Sequence, residues 1–251
     1  MKTLIIIPAY NEEKTIAEVI SGVLHYIPSI LIVDDGSKDA TNEIAKQFNV
    51  EIINNPRKSG KGFSLQRGFA YAIEHNYDAV ITIDADGEHN PEQIPYLLDL
   101  LKNGDLVIAQ RTIYRSAMRS FLNKFSTFFM TFLLPDIQDT QSGYRAISVS
   151  LLKRMYLTTN HFDTELEMLL EAVKNNAIIR VLNIHHLPQR KSNQTFVDFV
   201  RINNLFDKWY LTNFKYLKLS LCKKYVLLCA TSIGICIGAP VRLLLEKITK
   251  K

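Results

Sequence analysis

Residues 79–86 read AVITIDAD, so five apolar or β-branched residues lead directly into two aspartates separated by one alanine. Such a run is typical of a buried strand, and Asn90-Pro91-Glu92 is typical of a helix start. Where a strand gives way to a loop, Asp84 and Asp86 can both turn toward one hard cation, and Glu88 is placed to add a third oxygen ligand. An isolated Asp-x-Asp is also compatible with a surface turn. Its position between a strand and a helix favours a Mg²⁺ or Mn²⁺ site.

Short apolar strands followed by amphipathic helices extend in both directions from this segment. The predicted strands are residues 3–7, 30–33, 51–53, 79–83, 105–109 and 180–184. The predicted helices are residues 14–27, 40–48, 62–75 and 91–102. This alternation indicates an α/β fold, with a Rossmann-like and mostly parallel sheet flanked by helices.

Polar clusters stand at several of the predicted strand ends. Residues 10–12 follow the first strand, Asp34 and Asp35 follow the second, and the aspartate pair follows a later one. A carboxylate after the second strand can accept hydrogen bonds from a base or a ribose. The loop at 58–62 adds two lysines and two glycines, although alone it is no more than a flexible basic loop. Charged loops at one edge of a sheet indicate a binding site.

The composition is that of a globular protein, with 251 residues, 47% hydrophobic and 22% charged. These values exclude disordered, collagen-like and polytopic membrane classes for the bulk of the chain, and the length favours one main domain. The formal net charge is +5, and lysines alternate with aromatic residues near the end. We predict a domain over residues 1–200 and a basic, aromatic-rich helical tail over 201–251. Such a tail is typical of contact with an anionic surface, although a solvated face is the plainer alternative.

The tail also contains an uncharged run from Tyr225 to Val241, which would extend roughly 25 Å as a helix, less than a bilayer core of about 30 Å. Interfacial attachment, a true span and a soluble packing helix are all compatible with it. Cys222, Cys229 and Cys236 would lie roughly 10 Å apart on a helix, too far for a disulfide or a shared metal. Cysteines that form no disulfide behave as small apolar residues and are typical of proteins in a reducing compartment. Residues 3–13 do not form a signal peptide, so the cytoplasm is predicted.

Five short motifs occur in register along the chain. They are PAYNEE at 8–13, VDDGS at 33–37, GKG at 60–62, DAD at 84–86 and SGYR at 142–145. In this order and spacing, over about residues 3–190, the chain resembles the family 2 glycosyltransferases, and within them the polyprenyl-phosphate branch typified by dolichol-phosphate mannosyltransferase. The resemblance implies a GT-A fold and an inverting transfer of a hexose from a nucleotide-sugar to polyprenyl phosphate.

The resemblance also implies roles for individual residues. Three are expected at the reacting centre: Asp84, Asp86 and Arg111. The implied ligands of the Mg²⁺ or Mn²⁺ ion are Asp84, Asp86 and Glu88. The residues expected to hold the donor or its phosphates are Pro8, Tyr10, Glu12, Asp34, Asp35, Lys61, Ala85, Arg119, Arg145 and Arg190.

The arginines of this set suit phosphate because the guanidinium fork matches its oxygens. Arg111 matches the family's arginine after the metal loop. Arg119 matches a second basic position of the family, and the neighbouring Arg115 is the alternative residue for that position. Arg190 fits an arginine near the end of the domain. The family's following lysine is not at its usual spacing here, which leaves Lys191 as a substitute.

The implied chemistry distinguishes two acceptors. The metal and the arginines neutralise the departing nucleoside diphosphate while the acceptor attacks the anomeric carbon from the opposite face. A lipid phosphate is already an anion and needs no strong general base. A hydroxyl of a lipid-linked glycan or glycolipid would need one, for which Asp139 and Glu165 are candidates. The processive-synthase signature Q-x-x-R-W is absent, which favours the lipid phosphate.

We therefore expect a glycosyltransferase at the cytoplasmic face of a membrane, with a nucleotide-sugar and polyprenyl phosphate as partners and no nucleic acid. The pattern is compatible with a uridine or a guanosine donor. The alternative from another class is a sugar-nucleotide-binding or membrane scaffold protein without turnover. His89 lies close enough to the metal loop to contribute to it. His185 and His186 point to opposite faces of a strand and are expected to be structural.

Overall fold

The computed structural model describes residues 1–111, 134, 136–184, 201, 205 and 208–213. Its strands are β1 (Thr3–Ala9), β2 (Ile30–Asp34), β3 (Glu51–Asn54), β4 (Ala79–Thr82), β5 (Leu106–Arg111), β6 (Arg145–Ser148) and β7 (Ile179–Ile184). Its helices are α1 (Ile16–Leu24), α2 (Thr41–Ala45), α3 (Lys61–Glu74), α4 (Ile94–Leu101), α5 (Val149–Leu152) and α6 (Thr164–Lys174). A 3₁₀ turn, Pro91–Gln93, leads into α4, and Asn90 caps it by accepting a hydrogen bond from the Glu92 N–H.

The described strands form one seven-stranded sheet in the order β3-β2-β1-β4-β6-β5-β7. The β1/β2, β2/β3, β1/β4 and β5/β7 pairs are parallel. β6 runs antiparallel to both of its neighbours, β4 and β5. The start of β6 therefore lies at the same edge of the sheet as the carboxyl ends of the other strands. The prediction of a mostly parallel α/β sheet is confirmed.

Helices cover both faces of the sheet, because successive strand residues point to opposite sides. In β1, Leu4 and Ile6 join one core cluster with residues of α3, α5 and α6. Ile5 and Ile7 join a second cluster with α1 and α4. Each fully buried Ile or Leu side chain contributes about 1.5–3 kcal/mol to folding. The two apolar layers hold the strands, and thereby the loops at their ends, in fixed positions.

The predicted elements agree with the described ones to within a few residues, and the differences have local causes. The sequence predicts α2 over residues 40–48, yet the α-helix ends at Ala45 because the backbone continues in a tighter, 3₁₀-type turn. The Gln47 N–H bonds the Ile44 carbonyl and the Phe48 N–H bonds the Ala45 carbonyl, which are i to i−3 bonds. The prediction contained no β6, α5 or α6.

The described part of the predicted tail packs against the domain. Trp209 and Tyr210 are buried in the same core cluster as α3 and α6. Among the residues that the structure describes, no helix is long and apolar enough to cross a membrane. The run from Tyr225 to Val241 and the three cysteines lie outside the described residues, so the predictions for them stay predictions. The division at residue 200 also stays a prediction.

Candidate active site

A pocket of about 750 Å³ lies at the edge of the sheet where β1, β2, β4 and β5 end and β6 begins. The predicted site residues that line it are Pro8, Tyr10, Glu12, Asp35, Lys61, Asp84, Ala85, Asp86, Glu88 and Arg111. They come from five separate segments of the chain. The sheet brings them together as the strand-end argument predicted.

The predicted metal loop, residues 84–89, is a closed turn directly after β4. The Asp84 N–H donates to Nδ1 of His89 over 3.1 Å, and the Glu88 N–H donates to Oδ1 of Asp86 over 2.9 Å. Gly87 has a φ of +77°, a left-handed conformation that favours glycine. The His89 ring stacks on Tyr144 with 4.9 Å between centroids. His89 thus contributes to the shape of the loop that presents the two aspartates.

The two aspartates of this loop have opposite protonation tendencies. Burial alone would raise the pKa of Asp84, but the positive charge of Lys61 beside it lowers the pKa to about 2. Burial raises the pKa of Asp86 to about 7, and the negative charge of Asp84 adds to the rise. Within the described residues, Lys61 therefore balances the charge of Asp84, and no ion pair balances that of Asp86.

This imbalance, with two adjacent carboxylates, fits a divalent cation. Asp84 and Asp86 would hold the ion, because hard cations prefer oxygen ligands and are often completed by substrate phosphates. Within the described part of the chain, no group of three His, Cys, Asp or Glu side chains is placed to hold a metal. Glu88, the predicted third ligand, lies buried in the pocket wall, and its role as a ligand stays a prediction.

Lys61 joins the metal loop to α6. Its Nζ lies 2.6 Å from Oδ1 of Asp84 and 2.7 Å from Oε1 of Glu165. Burial alone would lower the pKa of Lys61, but the charges of these two carboxylates raise it above its usual value. Gly143 packs against the pair, since a Cβ there would lie 2.7 Å from Nζ of Lys61. The charged groups are thus held in a space that admits no side chain at residue 143.

The side of the pocket beyond β1 and β2 combines an aromatic ring with a basic loop. Nζ of Lys58 lies 4.0 Å from the centroid of the Tyr10 ring. The buried Asp35 carboxylate accepts hydrogen bonds from the Ser59 and Gly60 N–H groups over 2.9 and 2.8 Å, and from Asn55. Asp35 therefore holds this loop against the pocket, where an aromatic face and donors suit a base and a phosphate.

The opposite side of the pocket carries Arg111 at the end of β5. Its guanidinium pairs with the fully buried Asp139 through two hydrogen bonds, Nε to Oδ2 at 2.5 Å and Nη2 to Oδ1 at 3.0 Å. A two-point pair of this kind fixes the plane of the guanidinium. Arg111 therefore presents a positive charge of fixed orientation to the pocket.

A loop before α6 closes the pocket with His161 and Phe162. It is held by the buried Glu167, whose carboxylate accepts hydrogen bonds from the N–H and hydroxyl groups of both Thr158 and Thr159. The loop also lies on the start of α3, where the Phe63 N–H donates to the Asn160 carbonyl. Glu167 thus positions pocket residues that it does not touch.

We expect Glu167→Ala to lower the free energy of unfolding by about 2–3 kcal/mol, because four donors lose one charged acceptor. The KM for the donor should rise, since the loop that carries His161 and Phe162 loses its anchor. Urea unfolding and initial rates measure the two effects. Glu74→Ala, at an exposed position of α3, is the control and should change stability by less than about 0.5 kcal/mol. Equal unfolding midpoints for the two variants would contradict the assignment.

A family model described as glycosyl transferase family 2 matches residues 4–159, more than half of the chain. This chain belongs to glycosyl transferase family 2. The family resemblance drawn from the five motifs is thereby confirmed.

The relatives of this family 2 chain include two proteins whose names state a polyprenyl-phosphate sugar transfer. The polyprenol monophosphomannose synthase of Mycolicibacterium smegmatis is 33% identical over 173 residues, which cover 62% of this chain and 65% of the relative. The undecaprenyl-phosphate mannosyltransferase of Micrococcus luteus is 30% identical over 171 residues, 62% of this chain and 70% of the relative. The chain thus spans slightly less than two thirds of the first of these proteins and slightly more than two thirds of the second.

Solved structures agree with the fold. Glucosyl-3-phosphoglycerate synthase from Mycobacterium tuberculosis, crystallised with Mn²⁺, UDP-glucose and phosphoglyceric acid, superposes with a TM-score of 0.70 at 22% identity. The superposition covers 83% of this chain and 79% of that one. At this identity the likeness shows the fold alone, a mostly parallel α/β sheet of the GT-A kind flanked by helices.

Two residues predicted to bind the donor, Asp34 and Arg145, do not line the pocket, and their roles stay predictions. Asp34 is not among the pocket residues, because its carboxylate accepts from the N–H and hydroxyl of Ser37 and orders the turn after β2. Arg145 has no exposed surface, and its guanidinium donates to the carbonyls of Ser142, Glu165 and Thr140. Burial lowers the pKa of Arg145 to about 10. Arg145 thus organises the backbone around the pocket, and its contact with a phosphate stays a prediction.

Several predicted residues of the family 2 chain lie outside the described part. They are Arg115, Arg119, His185, His186, Arg190 and Lys191. Their roles stay predictions.

Sequence reasoning missed several residues that line the pocket, among them Ser64, Gln141, Gly143, His161 and Phe162. Gly143 was within a quoted motif, and Gln141 directly precedes that motif, so proximity was the available signal. His161 and Phe162 come from a loop with no pattern of its own. They reach the pocket only because the loop packs on the start of α3.

Proposed function

We propose that this chain is a metal-dependent inverting glycosyltransferase that moves a hexose from a nucleoside-diphosphate sugar to polyprenyl phosphate. The observation that carries the proposal is the position of the aspartate pair. Asp84 and Asp86 lie at the middle of the pocket, with Tyr10 and the basic loop on one side and Arg111 on the other. This order matches a donor laid along the sheet edge, with its diphosphate at the aspartates.

The chain's own charged groups supply the electrostatics of the transfer. Mg²⁺ or Mn²⁺ bound at Asp84 and Asp86 would neutralise the diphosphate as it departs from the anomeric carbon. Lys61 adds a fixed cation beside Asp84, and Arg111 adds one on the far side of the pocket. Two preorganised cations favour a step in which charge moves from the acceptor phosphate to the leaving diphosphate. An acceptor oxygen bonds to the anomeric carbon from the opposite face as the bond to the diphosphate breaks.

The state of the candidate bases supports a phosphate acceptor. Asp139 is fully buried and paired with Arg111, and Glu165 is buried and paired with Lys61. A carboxylate held by a cation is a weak base and would lose that pairing on taking a proton. A hydroxyl acceptor needs such a base, whereas a phosphate monoester does not. The names of the two relatives, which contain polyprenol and undecaprenyl phosphate, support the same acceptor.

The proposed acceptor places the reaction at a membrane surface, because a polyprenyl chain is anchored in lipid. We propose that the enzyme works on the cytoplasmic face, where nucleotide-sugars are made, and that the basic aromatic tail contributes to attachment. Sedimentation with vesicles that contain anionic lipid, for the full chain and for a variant with its tail lysines replaced by glutamine, tests this part.

The catalytic proposal is tested with radiolabelled UDP-glucose, UDP-N-acetylglucosamine and GDP-mannose in Mn²⁺, each with undecaprenyl or dolichyl phosphate. We expect one donor to yield a lipid-extractable product that mild acid cleaves, because a glycosyl phosphate is acid-labile. Chelation of the metal should abolish the product. A mild-acid-stable glycolipid would favour the hydroxyl acceptor. Binding of nucleotide-sugar without turnover on any acceptor would favour a scaffold protein and overturn the proposal.

A further inference from the structure

Gln141 is a pocket residue whose side-chain amide has no hydrogen-bond partner within the part of the chain that the structure describes. It is 9% exposed, and its Nε2 and Oε1 atoms are both buried and unpaired. A primary amide carries two donors and one acceptor oxygen, and burying it unpaired is costly. Most buried polar groups in proteins are paired, so this exception requires an explanation. Because Gln141 lines the pocket, a ligand bound there can supply the missing partners.

The backbone around Gln141 is fixed by neighbours on both sides. Its N–H donates to Oδ1 of Asp139, the carboxylate that holds Arg111. Two residues later, the Gly143 carbonyl accepts from the Thr82 hydroxyl over 2.6 Å. The segment therefore runs between the arginine and the metal loop without freedom to move away. The backbone that carries the unpaired amide is thus held in the pocket wall.

The strand order tells which part of the donor meets this wall. Along the sheet edge, β2 and β1 carry Asp35 and Tyr10, β4 carries the aspartate pair, β6 begins after Gln141, and β5 ends at Arg111. A donor with its diphosphate at the aspartates and its nucleoside beside Tyr10 extends its sugar to the other side of the aspartates. That side is the β6 position, ahead of Arg111. Gln141 therefore lies where the hexose is expected.

The chemistry of the amide also favours a sugar. A phosphate offers acceptors alone and would leave the Gln141 oxygen unpaired. Sugar hydroxyls donate and accept at once, so two neighbouring hydroxyls satisfy both ends of an amide. The neighbouring cations, Lys61 and Arg111, already suit the phosphates. The uncharged amide of Gln141, between these two cations, is suited to bind the uncharged sugar of the donor.

We propose that the Gln141 amide binds hydroxyl groups of the donor hexose and determines which sugar is accepted. The inference rests on the proposed function, since it needs a nucleotide-sugar in the pocket. It assigns to Gln141 a specificity role, with no part in bond breaking.

The test compares Gln141→Met, close in length and shape, with the wild-type chain in calorimetric titrations with Mn²⁺. The ligands are UDP, GDP, UDP-glucose, UDP-N-acetylglucosamine and GDP-mannose. We expect the variant to bind the preferred nucleotide-sugar about 10- to 100-fold more weakly and the matching nucleoside diphosphate equally well. Discrimination between sugars on the same nucleotide should fall. Gln47→Met, at an exposed position after α2, is the matched control.

A stability measurement separates recognition from a structural role. Since the amide is unpaired in the free protein, Gln141→Met should keep or raise Tm, and Gln141→Leu provides a second apolar variant. A fall in Tm of more than about 5 °C for both would overturn the inference. Equal loss of nucleotide-sugar and diphosphate affinity, or no loss of either, would also overturn it while leaving the proposed function intact. If the wild-type chain binds none of the five ligands, the proposed function fails and the inference falls with it.

Discussion

We expect Asp84→Asn to lower kcat/KM for sugar transfer about 10³-fold. The substitution removes one of two carboxylates that would hold the metal and the negative charge that pairs with Lys61. The remaining carboxylate, Asp86, has a pKa raised to about 7 by burial and by the charge of Asp84. A single carboxylate offers a divalent cation fewer oxygen ligands than the pair does. Initial rates at saturating Mn²⁺ measure the effect.

The same substitution should leave the fold intact. The Asp84 side chain is 26% exposed, and Lys61 keeps its second partner, Glu165. We expect the free energy of unfolding to change by no more than about 1–2 kcal/mol. Asp99→Asn, at an exposed position of α4, serves as the control for both measurements. Undiminished turnover in Asp84→Asn would show that the reacting centre lies elsewhere.

Gly143→Ala should lower kcat/KM about 10²-fold although it removes no functional group. The added Cβ would lie 2.7 Å from Nζ of Lys61 and 2.8 and 2.9 Å from the two carboxylate oxygens of Asp84. All three distances are shorter than a normal contact, so the ion pair has to move. A displacement of about 1 Å at a reacting centre costs on the order of 10²-fold in rate. Rates and Mn²⁺ affinity, measured by titration, report the displacement.

The control for this prediction is Gly104, which precedes β5 at the edge of the sheet away from the pocket. In Gly104→Ala the new Cβ would lie 3.0 Å from Cγ of Arg180, a flexible side chain of β7. We expect wild-type Mn²⁺ affinity there. If Gly143→Ala binds Mn²⁺ as tightly as Gly104→Ala does, the space beside Asp84 is larger than the structure indicates.

Much of the site was predictable because strand ends are visible in the sequence. Apolar runs such as residues 79–83 predict strands. A parallel sheet then brings the residues that follow its strands to one edge of the sheet. Tyr10, Asp35 and Asp84 were placed in one pocket by that argument alone. Arg111 was found through the family resemblance and through its position at a strand end.

At two predicted site residues, Asp34 and Arg145, burial supplies partners within the fold that the sequence does not reveal. Asp34 and Asp35 are adjacent and chemically identical, so the sequence gives no reason to separate them. Alternation along β2 and the turn after it directs one carboxylate to Ser37 and the other toward the pocket. Arg145 was assigned to a phosphate because arginine commonly binds one. Three backbone carbonyls within the fold use its donors instead.

Residues that reach the site by packing were not predictable from local pattern. β6 is four residues long and antiparallel, so neither its length nor its neighbours in sequence indicate that it inserts between β4 and β5. His161 and Phe162 depend on contacts between a loop and the start of α3. Gln141 is conspicuous only when the partners of its amide are counted.

The position of β6 between β4 and β5 has a consequence for folding during synthesis on the ribosome. β4 ends at Thr82, whereas the strand that pairs with its free edge begins at Arg145. At roughly 5–20 residues per second, several seconds of synthesis separate the two. Throughout that interval the nascent chain exposes the backbone of β4, an edge of the kind that recruits other strands. The sheet around the reacting centre is thus completed late in synthesis. The incomplete nascent chain is therefore the form most prone to aggregation.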